Sequence, residues 1–510
     1  MNNMLKKTTV NAKKILNKAI KKTQPKMRVS ELNTILSLAT GTAEISGLSK
    51  AKINELLTFK NGVIGMIHSL KPNSAGVIFL SNADSLKAGD RAVRTERVLD
   101  VPVGSALLGR VINPLGLPLD KKGMIRTTER LPVERESPAI MERATVDTPL
   151  QTGIKAIDAF IPIGRGQREL ILGDRQTGKT AIAVDTILNQ KDSGVISIYC
   201  AIGQRSSDTA RVIATLQDNG VMNQCVVVVA SGEDEAGLQY IAPYAATSIG
   251  EYFMSKGKDV LIVYDDLTSH ARAYRQLSLL LRTPPGREAF PGDIFYIHSR
   301  LLERSTHLRK KDGGGSMTAL PIVATEAGNI SAYIPTNIIS ITDGQIYLSA
   351  NLFQKGLMPA IDTGPSVSRV GGEAQLPAYR QLVGPLKLFY SQFEELESFS
   401  KFGVQLDEET QKKLARGRAI RFVLQQLQYH LMDVASQIAV FLSVNAGLLD
   451  NVPQDKIQPA QSVISKTMHT KFKNIVDAIM HKEKLDSLAQ NKLIKAFQQS
   501  LLDEGITPRK

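Results

Sequence analysis

Three patterns of apolar and polar positions follow one another along this chain. From about Met27 to Thr95, short apolar runs are broken by turn residues. Val63-Ile-Gly-Met-Ile67 and Ala75-Gly-Val-Ile-Phe-Leu80 read as strands, and Asn61-Gly62 and Gly89-Asp90 read as turns. Strands this closely spaced, without helices between them, predict a small closed β-barrel over residues 28–95. From Glu96 to Gln375, apolar runs such as Glu169–Leu172, Val195–Tyr199, Val226–Val229 and Val260–Val263 alternate with helical segments. Near-continuous apolar strands separated by helices predict a parallel sheet covered on both faces, an α/β domain over 96–375. After Pro377, Leu382, Leu386, Phe389, Phe393 and Leu396 recur every three or four residues, which predicts a helical domain over 376–510.

A length of 510 residues is too great for one core and fits three or four domains. Apolar residues are 43% and charged residues 22% of the chain, as in globular proteins. No stretch approaches the ~20 apolar residues of a membrane-spanning helix. Cys200 and Cys225 both adjoin apolar runs and read as buried thiols. The histidines show no H-x-x-x-H spacing that would suggest a metal. The net charge of +14 resembles that of a nucleic-acid binder, but eight of those charges are lysines within residues 1–26, a segment without an acid. Leu5, Val10, Ile15, Leu16 and Ile20 lie among those lysines, so this tail reads either as a solvated extension or as a short amphipathic helix for an anionic surface. The charge therefore does not indicate nucleic acid.

Gly173-Asp174-Arg175-Gln176-Thr177-Gly178-Lys179-Thr180 fits G-x-x-x-x-G-K-[ST] at every fixed position, between a strand-like and a helix-like segment. Such a loop closes backbone N–H groups around phosphate oxygens and adds the positive end of a helix. Lys179 is expected to reach the terminal phosphates and the Thr180 hydroxyl to ligate Mg2+. Val260–Asp266 is an apolar strand ending in two carboxylates, where parallel sheets present ligand contacts. Asp265 is expected to hold Mg2+ through water, while Asp266 reads equally as a second acid or a helix cap. The two elements together predict binding of a nucleoside triphosphate.

A hydrolytic site also needs a group that activates water. The strand after the phosphate-loop helix ends in Ile202-Gly203-Gln204-Arg205. Here the chain resembles the alpha/beta family of F-type ATP synthases, whose catalytic beta members carry G-E-R at this place; Gln204 matches the alpha members. An amide cannot take a proton at neutral pH, and a placed general base is worth about 10²–10⁴ in rate. The resemblance runs over about residues 30–450, through Gln151–Asp158, Pro162–Glu169, the phosphate loop, Arg282–Glu288 and Pro335–Gln345. It implies Arg175 and Gln176 near the nucleotide, with Gln426 and Gln428 bordering adenine, although the lysine and proline of that family segment are missing here. Ser366-Val-Ser-Arg369-Val-Gly371 resembles the alpha segment that lends Arg369, with Ser366, to the adjacent catalytic site. Fingers of this kind are worth roughly 10³–10⁵ in rate.

The resemblance further implies a noncatalytic, regulatory subunit with ATP and Mg2+ as cofactors. It would alternate with beta subunits in a three-plus-three ring around a gamma rotor, with delta or peripheral-stalk contacts. Such a ring is peripheral to the cytoplasmic face of a bacterial inner membrane and makes ATP from an ion gradient. Ala39–Ile45, Pro138–Met141 and Ser391–Glu397 resemble a divergent N-type subgroup, which leaves the coupling ion, proton or sodium, open. Two other readings need features the chain lacks. A catalytic ring ATPase needs a carboxylate in place of Gln204, and an RNA translocase needs more barrel aromatics than Phe59 and Phe79.

Overall fold

Short strands, alternating in burial as in Glu55–Phe59 or buried along most of their length as in Ser74–Phe79, build the first domain. In the computed structural model, which describes residue 13 and residues 33–48, 50–400, 407–450 and 452–506, six strands close on themselves. They are β1 (Asn33–Ala39), β2 (Thr42–Ser46), β3 (Glu55–Phe59), β4 (Ile64–Leu70), β5 (Ser74–Phe79) and β6 (Arg91–Val98), in the order β1-β2-β5-β4-β3-β6. Ile45, Leu57, Ile67, Val77 and Phe79 fill the interior. The expected Asn61-Gly62 turn joins β3 to β4 with both residues at positive φ, 59° and 77°. The basic segment 1–26, with its amphipathic reading, lies outside the described residues apart from residue 13.

Two short ribbons follow, β7 (Asp100–Val103) with β9 (Glu129–Pro132) and β10 (Pro149–Leu150) with β11 (Ile163–Gly164). The large sheet holds β8 (Arg110–Ile112), β12 (Leu170–Asp174), β13 (Ile196–Gln204), β14 (Cys225–Ser231), β15 (Asp259–Asp265), β16 (Ser316–Thr325), β17 (Gly344–Leu348) and β18 (Ile361–Ser368). Their order is β18-β17-β12-β16-β15-β13-β14-β8. Every neighbouring pair is parallel, as the apolar runs predict, except β17 with β18. β18 contains Gly364 and Pro365, and a proline without an N–H is tolerated on an edge strand.

Both faces of the sheet are covered. Tyr199, Ala201, Val227, Leu261 and Val263 pack with the helices Lys179–Leu188 and Ser206–Asp218. The alternate residues Ile198, Cys200, Val226, Val228 and Ile262 pack with the helices Ala236–Ser255 and Leu267–Leu280. Cys200 and Cys225 are buried free thiols, and burial pushes Cys225 up to about 12. The first of these two cores continues into the C-terminal helices. There Leu382, Leu386 and Phe393 are buried along the helix Pro377–Ser400, with Phe389 and Leu396 packed beside them. A barrel, a covered parallel sheet and a helical domain are thus all present in chain order.

Candidate functional site

At the carboxyl end of β12 the chain turns sharply into the helix Lys179–Leu188. A Cβ on Gly173 would sit 2.5 Å from the Leu348 carbonyl oxygen of β17, and Gly178 has φ of 99°, so both positions require glycine. Arg175 and Gln176 are exposed at the tip of the turn. Asp174 does not face the loop: its carboxylate accepts from the Thr325 hydroxyl at 2.6 Å and from the Gly328 N–H at 2.8 Å, anchoring the loop to the end of β16. The Thr177 hydroxyl and the Lys179 ammonium both donate to the Asp174 carbonyl, at 2.8 and 2.5 Å. Burial lowers the pKa of Lys179, against the opposing pull of Asp266, Asp265 and Asp174.

The parallel register brings the remaining groups together. Ala201 of β13 lies opposite Asp265 of β15, so Gln204, a few residues on, overhangs the carboxylate. Asp265 accepts from the Thr180 hydroxyl at 2.7 Å, from the Tyr199 hydroxyl at 2.8 Å and from the Gln204 amide nitrogen at 3.0 Å. With its nitrogen so used, Gln204 has its amide oxygen left as an acceptor. Burial, and then the neighbouring Asp266, push Asp265 up to about 6. Asp266 is the helix cap of its two readings: its carboxylate accepts from the Ser269 N–H at 2.6 Å and caps Leu267–Leu280. Tyr199, which no motif singles out, completes the carboxylate's hydrogen bonds.

Beside the loop lies a cavity of about 320 Å³, lined among others by Ile182, Leu348, Phe353, Gln426 and Gln428. Both glutamines line this cavity, but their states differ. The Gln426 amide is committed to backbone, accepting from the Lys155 N–H at 3.0 Å and donating to the Gly153 and His430 carbonyls at 2.7 and 2.6 Å. Gln428 is exposed. Beneath this wall the Lys155 ammonium, 1% exposed, donates to the Gln425 carbonyl at 3.2 Å and to the Gln461 side chain. Asp158 accepts from Thr152, Gly153 and Gln437, so this motif ties the sheet domain to the helical one.

Arg369 is not part of this site. Ser368 lies opposite Gly344, whereas the phosphate-loop residue Gly173 lies beside Leu348, four residues or about 13 Å further along β17. Arg369 is exposed, and its N–H donates to the Asp343 carbonyl at 2.8 Å. Asp343 in turn grips Arg168 at 2.9 Å. Ser368 donates to the Pro162 carbonyl at 2.7 Å and accepts from Gln167 at 3.0 Å. The Ser366 hydroxyl, expected to act with the arginine, is buried in the β17–β18 ladder, accepting from the Tyr347 N–H at 2.9 Å and donating to the Asp362 carbonyl. Its observed role is to shape β18.

Comparison with known proteins agrees with this geometry. Residues 30–96 match the beta-barrel domain of the ATP synthase alpha/beta family, residues 153–368 its nucleotide-binding domain, and residues 375–500 the C terminal domain of the ATP synthase alpha/beta chain. "ATP synthase subunit alpha 2" of Syntrophus aciditrophicus is 57% identical over 479 residues, covering 94% of this chain and 92% of that one. "ATP synthase subunit alpha 1" of Marinomonas sp. is 56% identical over 478 residues, 94% of each chain. "ATP synthase subunit alpha 1" of Chlorobium luteolum is 56% identical over 486 residues, 95% of each. A barrel, a phosphate-loop sheet and a helical domain matched along almost the whole chain leave one conclusion: it belongs to the ATP synthase alpha/beta family, among the alpha subunits of F-type ATP synthases.

Proposed function

We propose that this subunit holds ATP with Mg2+ at its own phosphate loop without turning it over, and lends Arg369 to the catalytic site of a neighbouring beta subunit. The amide of Gln204 carries the first half of this reading. It hydrogen-bonds Asp265 at the strand end where an attacking water would need a base, and it has no proton-accepting power at neutral pH. Thr180 and Asp265 fit a divalent cation, being hard oxygen donors whose oxygens lie 2.7 Å apart. Mg2+ bound there supplies charge neutralisation for the phosphates; Lys179 and the loop N–H groups grip their oxygens.

The second half is supported by where Arg369 stands. Its guanidinium is exposed, at the opposite end of the strands from its own phosphate loop, between the exposed Val367 and Val370. An arginine on a braced backbone among exposed apolar residues suits an interface, where it stabilises charge on a neighbour's transferring phosphoryl group. In this reading alpha and beta subunits alternate in a three-plus-three ring around the gamma rotor, held by delta and peripheral-stalk subunits. The ring makes ATP from ADP and phosphate at the cytoplasmic face of a bacterial inner membrane, coupled to a proton or sodium gradient. Among the described residues no helix is long and apolar enough to cross a membrane.

Arg369→Ala tests the proposal. In the reconstituted ring, ATP turnover is expected to fall by roughly 10³-fold or more. Calorimetric binding of Mg-ATP by the purified subunit is expected to stay unchanged. Normal turnover by the mutant ring, or rapid multiple turnover by the wild-type subunit alone, would contradict it.

A further inference from the structure

The cavity beside the phosphate loop is walled mainly by carbon, with Ile154, Ala181, Ile182, Leu348, Phe353 and Met358 around it. Such a slot takes a flat heteroaromatic base, and selectivity then rests on the few polar groups that reach it. Besides Thr177 of the loop, three side chains with polar groups line it: Gln426, Gln428 and Asp185. Gln426 has its amide committed to three backbone groups. Gln428 is exposed, and no described residue fixes its side chain. Asp185 is different. It stands on the helix Lys179–Leu188, is 6% exposed, and uses one carboxylate oxygen to accept from the Tyr429 N–H at 3.2 Å. Its second oxygen accepts no hydrogen bond from any described residue. Burial pushes Asp185 up to about 6, so at pH 7 to 8 it is mainly ionised and only accepts.

We infer that Asp185 is the base-reading residue of this site, its free carboxylate oxygen accepting from the exocyclic amine of adenine and selecting an amino-purine triphosphate. The inference rests on, and deepens, the reading of the loop as an ATP site. A buried, anchored acceptor is preorganised, whereas an exposed glutamine side chain must be ordered on binding. A base without a donor at that edge leaves the carboxylate oxygen desolvated and unpaired, which is where discrimination of this kind arises. Guanine also carries donors, but its O6 acceptor would meet carbon walls or the carboxylate itself, so the structure favours adenine.

Calorimetric titration of the full-length subunit with Mg2+ and three nucleotides tests this. They are ATP, purine riboside triphosphate (hydrogen in place of the amine) and GTP. The wild type is expected to bind ATP roughly ten- to a hundredfold more tightly than purine riboside triphosphate, the range for a hydrogen bond to a charged group. GTP is expected to bind more weakly than ATP. Asp185→Asn keeps an oxygen for Tyr429 but turns a donor towards the cavity, so ATP and purine riboside triphosphate should come within about threefold of each other. Equal wild-type affinity for those two nucleotides overturns the inference without any mutant having to fold. So does a preference that survives in Asp185→Asn, and GTP binding as tightly as ATP overturns the choice of adenine. If the wild type binds none of the three, the ATP-site reading fails and takes this inference with it.

Discussion

Gln204 and Asp265 are sixty-one residues apart, yet they share a hydrogen bond because β13 and β15 run parallel in register. The phosphate loop was readable in advance, since its function depends on residue types at fixed spacing in one local turn. The directions of the side chains in and around it were not. Asp174 turns to Thr325, Gln426 to backbone, and Ser366 into its own ladder. Each of these partners is supplied by chain distant in sequence or by local bulging, which residue spacing does not encode. Gln204→Glu makes the point testable. It restores a carboxylate but supplies no guanidinium for the developing charge, and it adds an acid beside Asp265 and Asp266. The isolated mutant subunit is expected to stay within about tenfold of the wild type in phosphate release over many turnovers, a finger being worth 10³ or more. Fast hydrolysis would show that the amide alone was silencing the site.

Among the elements, what the apolar patterns predicted was type and order. The barrel strands follow from short apolar runs broken by turn residues, the covered parallel strands from near-continuous apolar runs, and the helix Pro377–Ser400 from a recurrence every three to four residues. The pairing order and the antiparallel edge β18 do not, because pairing joins segments whose patterns are individually alike. The clamp around Arg304 was equally hidden. Its side chain is wholly buried, with Nε and Nη2 donating to Glu251 at 2.7 and 2.9 Å, Nη1 to the Val133 carbonyl at 2.9 Å, and Nη2 to Ser248 at 2.8 Å. It fastens the long helix Ala236–Ser255 to the segment behind it. Arg304→Ala leaves the buried Glu251 paired, among the described residues, with the partly exposed Arg135 only, and should cost about 3–5 kcal/mol in guanidinium denaturation, as breaking a buried pair does. Arg135, which also reaches Glu251 at 2.8 Å, keeps the loss from exceeding that range. A cost under about 1 kcal/mol would mean that the clamp is replaceable.

Taken whole, the molecule joins its nucleotide domain to its helical domain through a buried cation. Lys155 starts the helix Lys155–Phe160, and its ammonium reaches Gln425 and Gln461 across the boundary without a carboxylate partner among the described residues. Desolvation lowers it to about 7. Between pH 7 and 10 the unfolded chain therefore keeps a proton that the folded chain releases, so stability rises with pH over that window. Lys155→Met removes this contribution. Wild type is expected to gain stability relative to the mutant between pH 7 and pH 9, by denaturation midpoint; parallel pH curves would refute a depressed lysine.

The sequence by itself determined the three-domain order and the phosphate loop, because each is written in local periodicity or in a contiguous motif; the reading of Gln204 as standing in place of a base came from the family resemblance. Only the tertiary structure decided which side chains are free to meet a ligand. It left Asp185 with an open oxygen, tied up Gln426, and set Arg369 at the far end of the sheet from the loop. The physical reason is that hydrogen-bond partners and burial are supplied by strands and helices far apart in the chain, and they exist only once those elements have packed.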